Sequence, residues 1–390
     1  LTSVDDLAFM GCSALESVTA KYVTSIGNDS FNGCSSLNKI SFSDIGEIGN
    51  RAFMNCRSLT GLDTNSLEKV GAEAFKDCSS LLSFFVNKLT ELDISVLSGC
   101  NSLKNLSIDS VIELPGLGED GTIAEYLPSL NYVSAYSVKT IPSKYFYGSS
   151  LLETVNFGSA TTIEDYAFYN SKLKNCTANC VTKIGDYAFA NTNIVSVPSS
   201  LVEEIGEGAF YNCQSILEVS PYLLTKMGDM AFYNCTSISS VSLPNVTGIS
   251  AKAFYNNTSL TSVYYSAKCT VIGDEAFMNC INLTDVKCDS KKTNYNYGNR
   301  VFYGCSNFAT DITGLYPVSL GSQVFAGTKS TVFQRLSLPT LKNVYACAFD
   351  GLQIKSLILP NVVVLEDVPK NAGVYVGDSA KYCDIPSEKN

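Results

Sequence analysis

The chain has 390 residues, 45% of them hydrophobic, with 37 acidic side chains against 27 basic ones, a formal net charge of −10 and a pI near 4.7. That balance argues against nucleic acid or an anionic membrane surface as partner, since both need clustered Lys and Arg. Histidine is absent altogether, which excludes Ser-His-Asp and Cys-His catalysis and the usual His-based metal sites.

From the N-terminus onward one phenylalanine recurs, at Phe9, Phe31, Phe53 and Phe75, then at Leu97 and Ala124 in its place, then at Phe146, Phe168, Phe189, Phe210, Phe232, Phe254, Phe277, Phe302, Phe325 and Phe349. The spacing is mostly 22 residues, stretched between Leu97 and Ala124 by an insertion. A fixed period of this size marks a solenoid of about 16 units, in which each coil buries its apolar side against its neighbours. The expected organisation is one solenoid over 1–360, irregular near 110–126, with a C-terminal cap or tail over 361–390. The first residues, Leu1-Thr2-Ser3-Val4, enter in mid-repeat without a charged-then-apolar leader, so any signal or anchor is expected outside this chain. No run of about 18 apolar residues is present to span a bilayer.

Each unit reads in two halves. The second half, as in Ile238-Ser-Ser-Val241-Ser-Leu243, alternates apolar and polar residues and predicts a short strand; stacked coils pair these strands into one parallel sheet. The first half reads Ile-Gly-Asp-x-Ala-Phe-x-Asn-Cys. Acids or Asn stand three before the phenylalanine, as at Asp165, Asp186, Asp229, Asn28 and Asn50, which suits a helix N-cap. Two residues after it the choice is almost wholly Gly, Asn or Asp, and only Tyr126 departs. Only those residues enter the left-handed region cheaply, so a short helix is expected to end there. Cys12, Cys34, Cys56, Cys78, Cys100, Cys213, Cys235, Cys280 and Cys305 each follow the phenylalanine by three and are expected as a reduced, buried ladder packing like small hydrophobes. Cys176 and Cys180 stand four apart, the wrong spacing for a zinc knuckle or a redox pair.

The pattern I-G-x-x-A-F-x-N-C-x-S-L-x-x-V-x-L-P resembles the BspA-like (Treponema pallidum-type) leucine-rich repeat. That resemblance implies an α/β repeat solenoid: a right-handed leucine-rich-repeat superhelix with a parallel β-sheet on one face and short helices or turns on the other. It also implies a secreted or cell-surface location and an adhesive role. Val374-Tyr-Val376 and Ser379-Ala-Lys-Tyr382 resemble the closing strand and short helix of such proteins.

Candidate sites are few. The sheet face is read as mostly Ser, Thr or Asn, interrupted by Phe85, Tyr132, Tyr136 and Tyr264, and exposed aromatics on such a surface are typical anchors for a partner. The insertion Glu113 to Thr122 carries Glu113, Glu119 and Asp120, which reads as a solvated acidic loop rather than a calcium site, because calcium needs a defined ligand array. The tyrosines one step after the phenylalanine, Tyr147, Tyr169, Tyr211, Tyr233, Tyr255 and Tyr303, read as a structural stack on one edge. No catalytic constellation, metal site or cofactor motif appears, so no enzyme is expected. The reading is a non-catalytic interaction module with a host or matrix protein or a glycan as partner. The alternatives are a passive spacer displaying another domain and an intracellular recognition subunit.

Overall fold

In coil after coil the repeat phenylalanine lies inside. A computed structural model describes residues 1–382 apart from 43, 119–120, 290–294, 329–331, 367, 370–371 and 378–380. Phe31, Phe53 and Phe75 are fully buried in it, and their rings stack with centroids 5.2 and 5.3 Å apart. The chain divides into two compact units, Leu1–Val181 and Thr182–Asn390, each a parallel β-solenoid with almost no helix.

In the first unit two columns of strands run along the stack. One is made of two-residue strands, Ser3–Val4, Ser25–Ile26, Glu47–Ile48 and Lys69–Val70, paired in that order. The other holds Ser83–Val86, Asn105–Ile108, Tyr132–Ser134, Thr154–Asn156 and Asn175–Thr177. The second unit repeats the scheme. Lys183–Ile184, Glu204–Ile205 and Lys226–Met227 form its short column, and Glu218–Val219, Ser240–Leu243, Ser262–Tyr265 and Asp285–Cys288 its long one. The expected single sheet is therefore corrected to two strand columns. The apolar residue of the Ile-Gly pair ends a two-residue strand of its own, too short to show the alternation by which a strand is read from sequence.

The stretch around the phenylalanine is a string of turns, and this corrects the expected helix. In the coil of Phe53 the amides of Ala52, Met54 and Cys56 close turns on the carbonyls of Gly49, Arg51 and Phe53, at 3.4, 3.1 and 3.1 Å. The alternate amides, of Arg51, Phe53 and Asn55, leave the coil and donate to Ala72, Ala74 and Lys76 of the next one, at 3.0, 2.8 and 2.9 Å. Every amide from 51 to 56 thus has a partner, as buried backbone requires. The alternation is possible because residues two before and two after the phenylalanine are left-handed, here Arg51 at φ 52° and Asn55 at φ 63°. The restriction to Gly, Asn or Asp after the phenylalanine had this cause, not a helix end.

The acids read as N-caps act between coils. Asp186 Oδ1 accepts the Glu207 amide at 2.7 Å, and Asp274 Oδ1 accepts that of Asn299 at 2.8 Å. Among the described residues the only α-helix is Ile123–Tyr126, in the disturbed coil, and it explains why Tyr126 escaped the left-handed restriction. At the C-terminal end, Gly373–Val376 pairs with Ser356–Leu359, so the expected strand exists. The short helix read over Ser379–Tyr382 is corrected: Lys381–Tyr382 is a strand paired with Val364–Leu365, and Ser379 and Ala380 lie outside the described residues.

The cysteine ladder is buried from Cys34 to Cys100, and all the described cysteines are free. Its members are more than small hydrophobes. Cys56 Sγ donates to Phe31 O at 3.2 Å, Cys78 to Phe53 O at 3.1 Å and Cys235 to Phe210 O at 3.0 Å. After Phe254 the sequence replaces cysteine with another donor: Asn257 Nδ2 reaches Phe232 O at 3.1 Å.

Two predictions follow from this packing. Phe232 is fully buried and stacked between Phe210 and Phe254 at 5.0 and 5.4 Å, so Phe232→Ala should cost about 3–5 kcal/mol, read as a lower urea midpoint of the second unit. An unchanged midpoint would refute the stacked core. Burial raises the Cys56 and Cys100 thiols from 9.0 to about 12. Below the unfolded value both states keep the proton; above it only the unfolded chain releases it, so the unfolded state gains. Under reducing conditions the urea midpoint should therefore decline as pH rises from 9 towards 12, and Cys56→Ser should lessen the decline.

Candidate interaction face

In the long strand column of the first unit, alternate residues enter the core and the rest face outward. Phe84, Leu106, Val133 and Val155 are buried, each directly over the next. The outward positions form three columns of five: Ser83, Asn105, Tyr132, Thr154 and Asn175; Phe85, Ser107, Ser134, Asn156 and Thr177; and, just past the strands, Asn87, Asp109, Tyr136, Gly158 and Asn179. These fifteen positions hold one carboxylate and no cation.

Phe85 and Tyr136 are the open aromatics, 43% and 53% exposed. They are two coils apart, roughly 10 Å along the stack. Phe85 is held through its backbone, whose carbonyl accepts Thr64 Oγ1 at 2.7 Å. Tyr136 lies against Gly158: a Cβ built there would fall within 2.8 Å of three consecutive ring carbons, Cδ2, Cε2 and Cζ. A point that close to three neighbouring ring atoms lies over the ring's face. The tyrosine therefore rests flat on the glycine with its other face towards solvent.

Between the two rings runs a polar network centred on Asp109. Its Oδ1 accepts the Ser134 hydroxyl and the Tyr136 amide, the latter at 3.0 Å, and its Oδ2 accepts the Ser107 hydroxyl at 3.0 Å. Asn156 Nδ2 donates to Ser134 Oγ at 3.2 Å. The carboxylate thus fixes the backbone of the tyrosine it stands beside.

Of the four residues picked from sequence, Phe85, Tyr132 and Tyr136 come together on this sheet, with Tyr132 half-buried between Asn105 and Thr154. Tyr264 stands on a sheet of the second unit, paired with Ser242 and Lys287 and 37% exposed. Asp109 and Gly158 were not singled out. Gly158 carried a signal, because it stands twelve after its phenylalanine, away from the two positions where the repeat uses glycine.

Other candidates are already occupied. The edge tyrosines stack on one another, Tyr211 on Tyr233 at 4.8 Å and Tyr233 on Tyr255 at 4.7 Å, so their ring faces are covered. Behind them the left-handed asparagines form an amide ladder, Asn234 Nδ2 to Asn212 Oδ1 at 2.7 Å and Asn256 Nδ2 to Asn234 Oδ1 at 2.6 Å. In the insertion, the Pro115 and Leu117 carbonyls accept the hydroxyls of Tyr145 and Tyr126 at 3.0 and 3.2 Å, while Glu119 and Asp120 lie outside the described residues. An open groove of about 770 Å³ follows the short strands of the first unit past Asp6, Asn28 and Asn50. Those side chains are engaged with the next coil, accepting the amides of Asn28, Asn50 and Ala72 at 2.6, 2.8 and 2.9 Å.

A parallel-strand solenoid of 22-residue coils, apolar inside and polar along its sheets, is a leucine-rich-repeat architecture. The family model described as the BspA type leucine rich repeat region matches residues 2–115, 125–220, 182–309 and 298–372, and the chain belongs to that family. Among solved structures, it is similar to a leucine-rich repeat protein from Bacteroides ovatus, with 23% identity over 98% of this chain and 87% of that one and a TM-score of 0.48. It is also similar to a leucine rich cell surface protein from Faecalibacterium prausnitzii, with 17% identity over 99% and 84% of the two chains and a TM-score of 0.28. No curated protein matches its sequence significantly.

The network makes a stability prediction. Asp109→Ala removes the acceptor of the buried Ser134 hydroxyl and of the Tyr136 amide, and should cost about 1–3 kcal/mol. The check is urea unfolding of the first unit, where a change within error of zero would show the network to be idle.

Proposed function

We propose that this chain is a non-catalytic interaction module, adhesin-like and working at a cell surface or outside the cell. Its binding face is the long strand column of the first unit, with Phe85, Tyr132 and Tyr136 as anchors. One observation carries the reading: two open aromatic rings stand on a sheet whose other outward positions, the half-buried Tyr132 apart, are small and polar. Membership of the BspA-type repeat family supports an interaction role and, through what that family resembles, the surface location. Tyr264 offers a secondary contact on the second unit. Among the described residues no helix is long and apolar enough to cross a membrane, so attachment would fall to something other than a helix of those residues.

The test is a screen of the folded protein against immobilised extracellular proteins and glycans, beside a Phe85→Ser, Tyr132→Ser, Tyr136→Ser triple variant. Saturable binding that the triple variant loses and Tyr264→Ser only weakens is the expected result. Binding kept by the triple variant would move the site elsewhere, and silence from every protein would favour a passive spacer.

A further inference from the structure

Two features of the first unit's face are unexplained by folding alone. Gly158 has no left-handed backbone to serve, unlike the glycines after the phenylalanines, and its only visible role is to leave room for the Tyr136 ring. The ring so accommodated keeps about half its surface in water. An aromatic side chain laid flat on a glycine, one face down and the other open, is a stacking platform.

We infer that this platform binds a neutral glycan, with one pyranose ring lying on Tyr136. The assignment rests on reading this face as the interaction surface and adds the chemical class of the ligand. A pyranose offers a face of C–H groups and a rim of hydroxyls. The C–H face carries slight positive charge and matches the negative face of an aromatic ring. The hydroxyl rim needs small, fixed donors and acceptors close by. Ser107, Asp109 and Asn156 supply them, half-exposed and held in place by the network around Ser134. Asp109 Oδ2 accepts one hydrogen bond, from Ser107, and a carboxylate oxygen has room for a second.

Charge decides among glycans. The fifteen positions of the face hold one carboxylate and no cation, and the chain carries a net charge of −10, a balance that favours a neutral polymer over a sulfated or uronate-rich one. The shape argues against a protein as the main ligand, because protein hot spots are desolvated pockets filled by a partner's side chain, and Tyr136 is an open plate.

The experiment is retention on immobilised neutral polysaccharides (cellulose, xylan, mannan, starch and β-1,3-glucan) with heparin as the anionic control, followed by calorimetric titration with oligosaccharides of whichever polymer retains the protein. Wild type should bind at least one neutral polymer and not heparin. Tyr136→Ser and Gly158→Ala should each weaken binding about tenfold, the loss of one stacking contact. Tyr136→Phe, which keeps the ring, should bind more tightly than Tyr136→Ser, and Tyr222→Ser, at an exposed tyrosine of the other unit outside the face, should bind as wild type; unfolding midpoints of all variants separate lost binding from lost fold. Failure to bind any neutral polymer, or undiminished wild-type affinity in Tyr136→Ser and Gly158→Ala, overturns the inference. If an extracellular protein binds wild type but not the triple variant while no polysaccharide does, the interaction face stands and the glycan falls. If neither binds, both fall.

Discussion

The structure depends on a ladder of backbone hydrogen bonds that passes from each turn string to the next. In the regular coils from Phe9 to Phe53 and from Phe210 to Phe302 the amides alternate, one closing a turn within the coil and the next reaching forward to a carbonyl one repeat on, as Arg51, Phe53 and Asn55 do. An antiparallel or helical segment satisfies its amides locally, whereas here half of them are satisfied only if the next coil is in register. Register is thus enforced on the side of the molecule away from the long sheet, where sequence alone suggested an independent helix.

The other regularities answer to that ladder. Left-handed residues on both sides of the phenylalanine cost on the order of 1 kcal/mol each when they are not glycine, and the forward hydrogen bonds offset the strain. Coils must also approach closely. A Cβ on Gly49 would lie 2.7 Å from the Asn28 amide nitrogen, which explains the glycine four before the phenylalanine. The Asn or Asp that follows it accepts the same residue's amide in the next coil, and the thiol three after the phenylalanine reaches back to a Phe carbonyl. Phenylalanine rings about 5 Å apart then fill the interior. Once register is fixed, outward residues of the sheet stand in columns, and a patch such as Phe85, Asp109 and Tyr136 is held by that register together with the hydrogen bonds of Asp109 to Ser134 and the Tyr136 amide.

Much of this was legible in the sequence. The period, the family pattern and the alternation of Val133 and Val155 with outward neighbours were enough for a parallel solenoid, and the restriction at Asn55 and its equivalents was enough for left-handed backbone. The restriction was silent on what preceded it, and a helix and a string of turns both end in a left-handed residue. The second left-handed position was harder to see, because Arg51, Glu73, Lys144, Tyr166 and Met230 share no chemistry. Their common trait is negative: none is β-branched, as a positive φ demands. The short strands were hidden by their length of two residues. At the candidate face the anchors Phe85, Tyr132 and Tyr136 were readable as apolar breaks in a polar column. Asp109 was not, because a lone acid past a strand reads as solvated until the Ser134 hydroxyl and the Tyr136 amide are seen on it.

The forward ladder is the claim on which the rest stands, and amide hydrogen exchange read residue by residue tests it most directly. The account predicts that Arg51, Phe53 and Asn55 exchange as slowly as the strand residues Leu106 and Val133, and that all of them are released together when the unit unfolds. Rapid exchange at Arg51, Phe53 and Asn55 while Leu106 and Val133 stay protected would contradict it, and would leave the sheet alone to hold the coils in register.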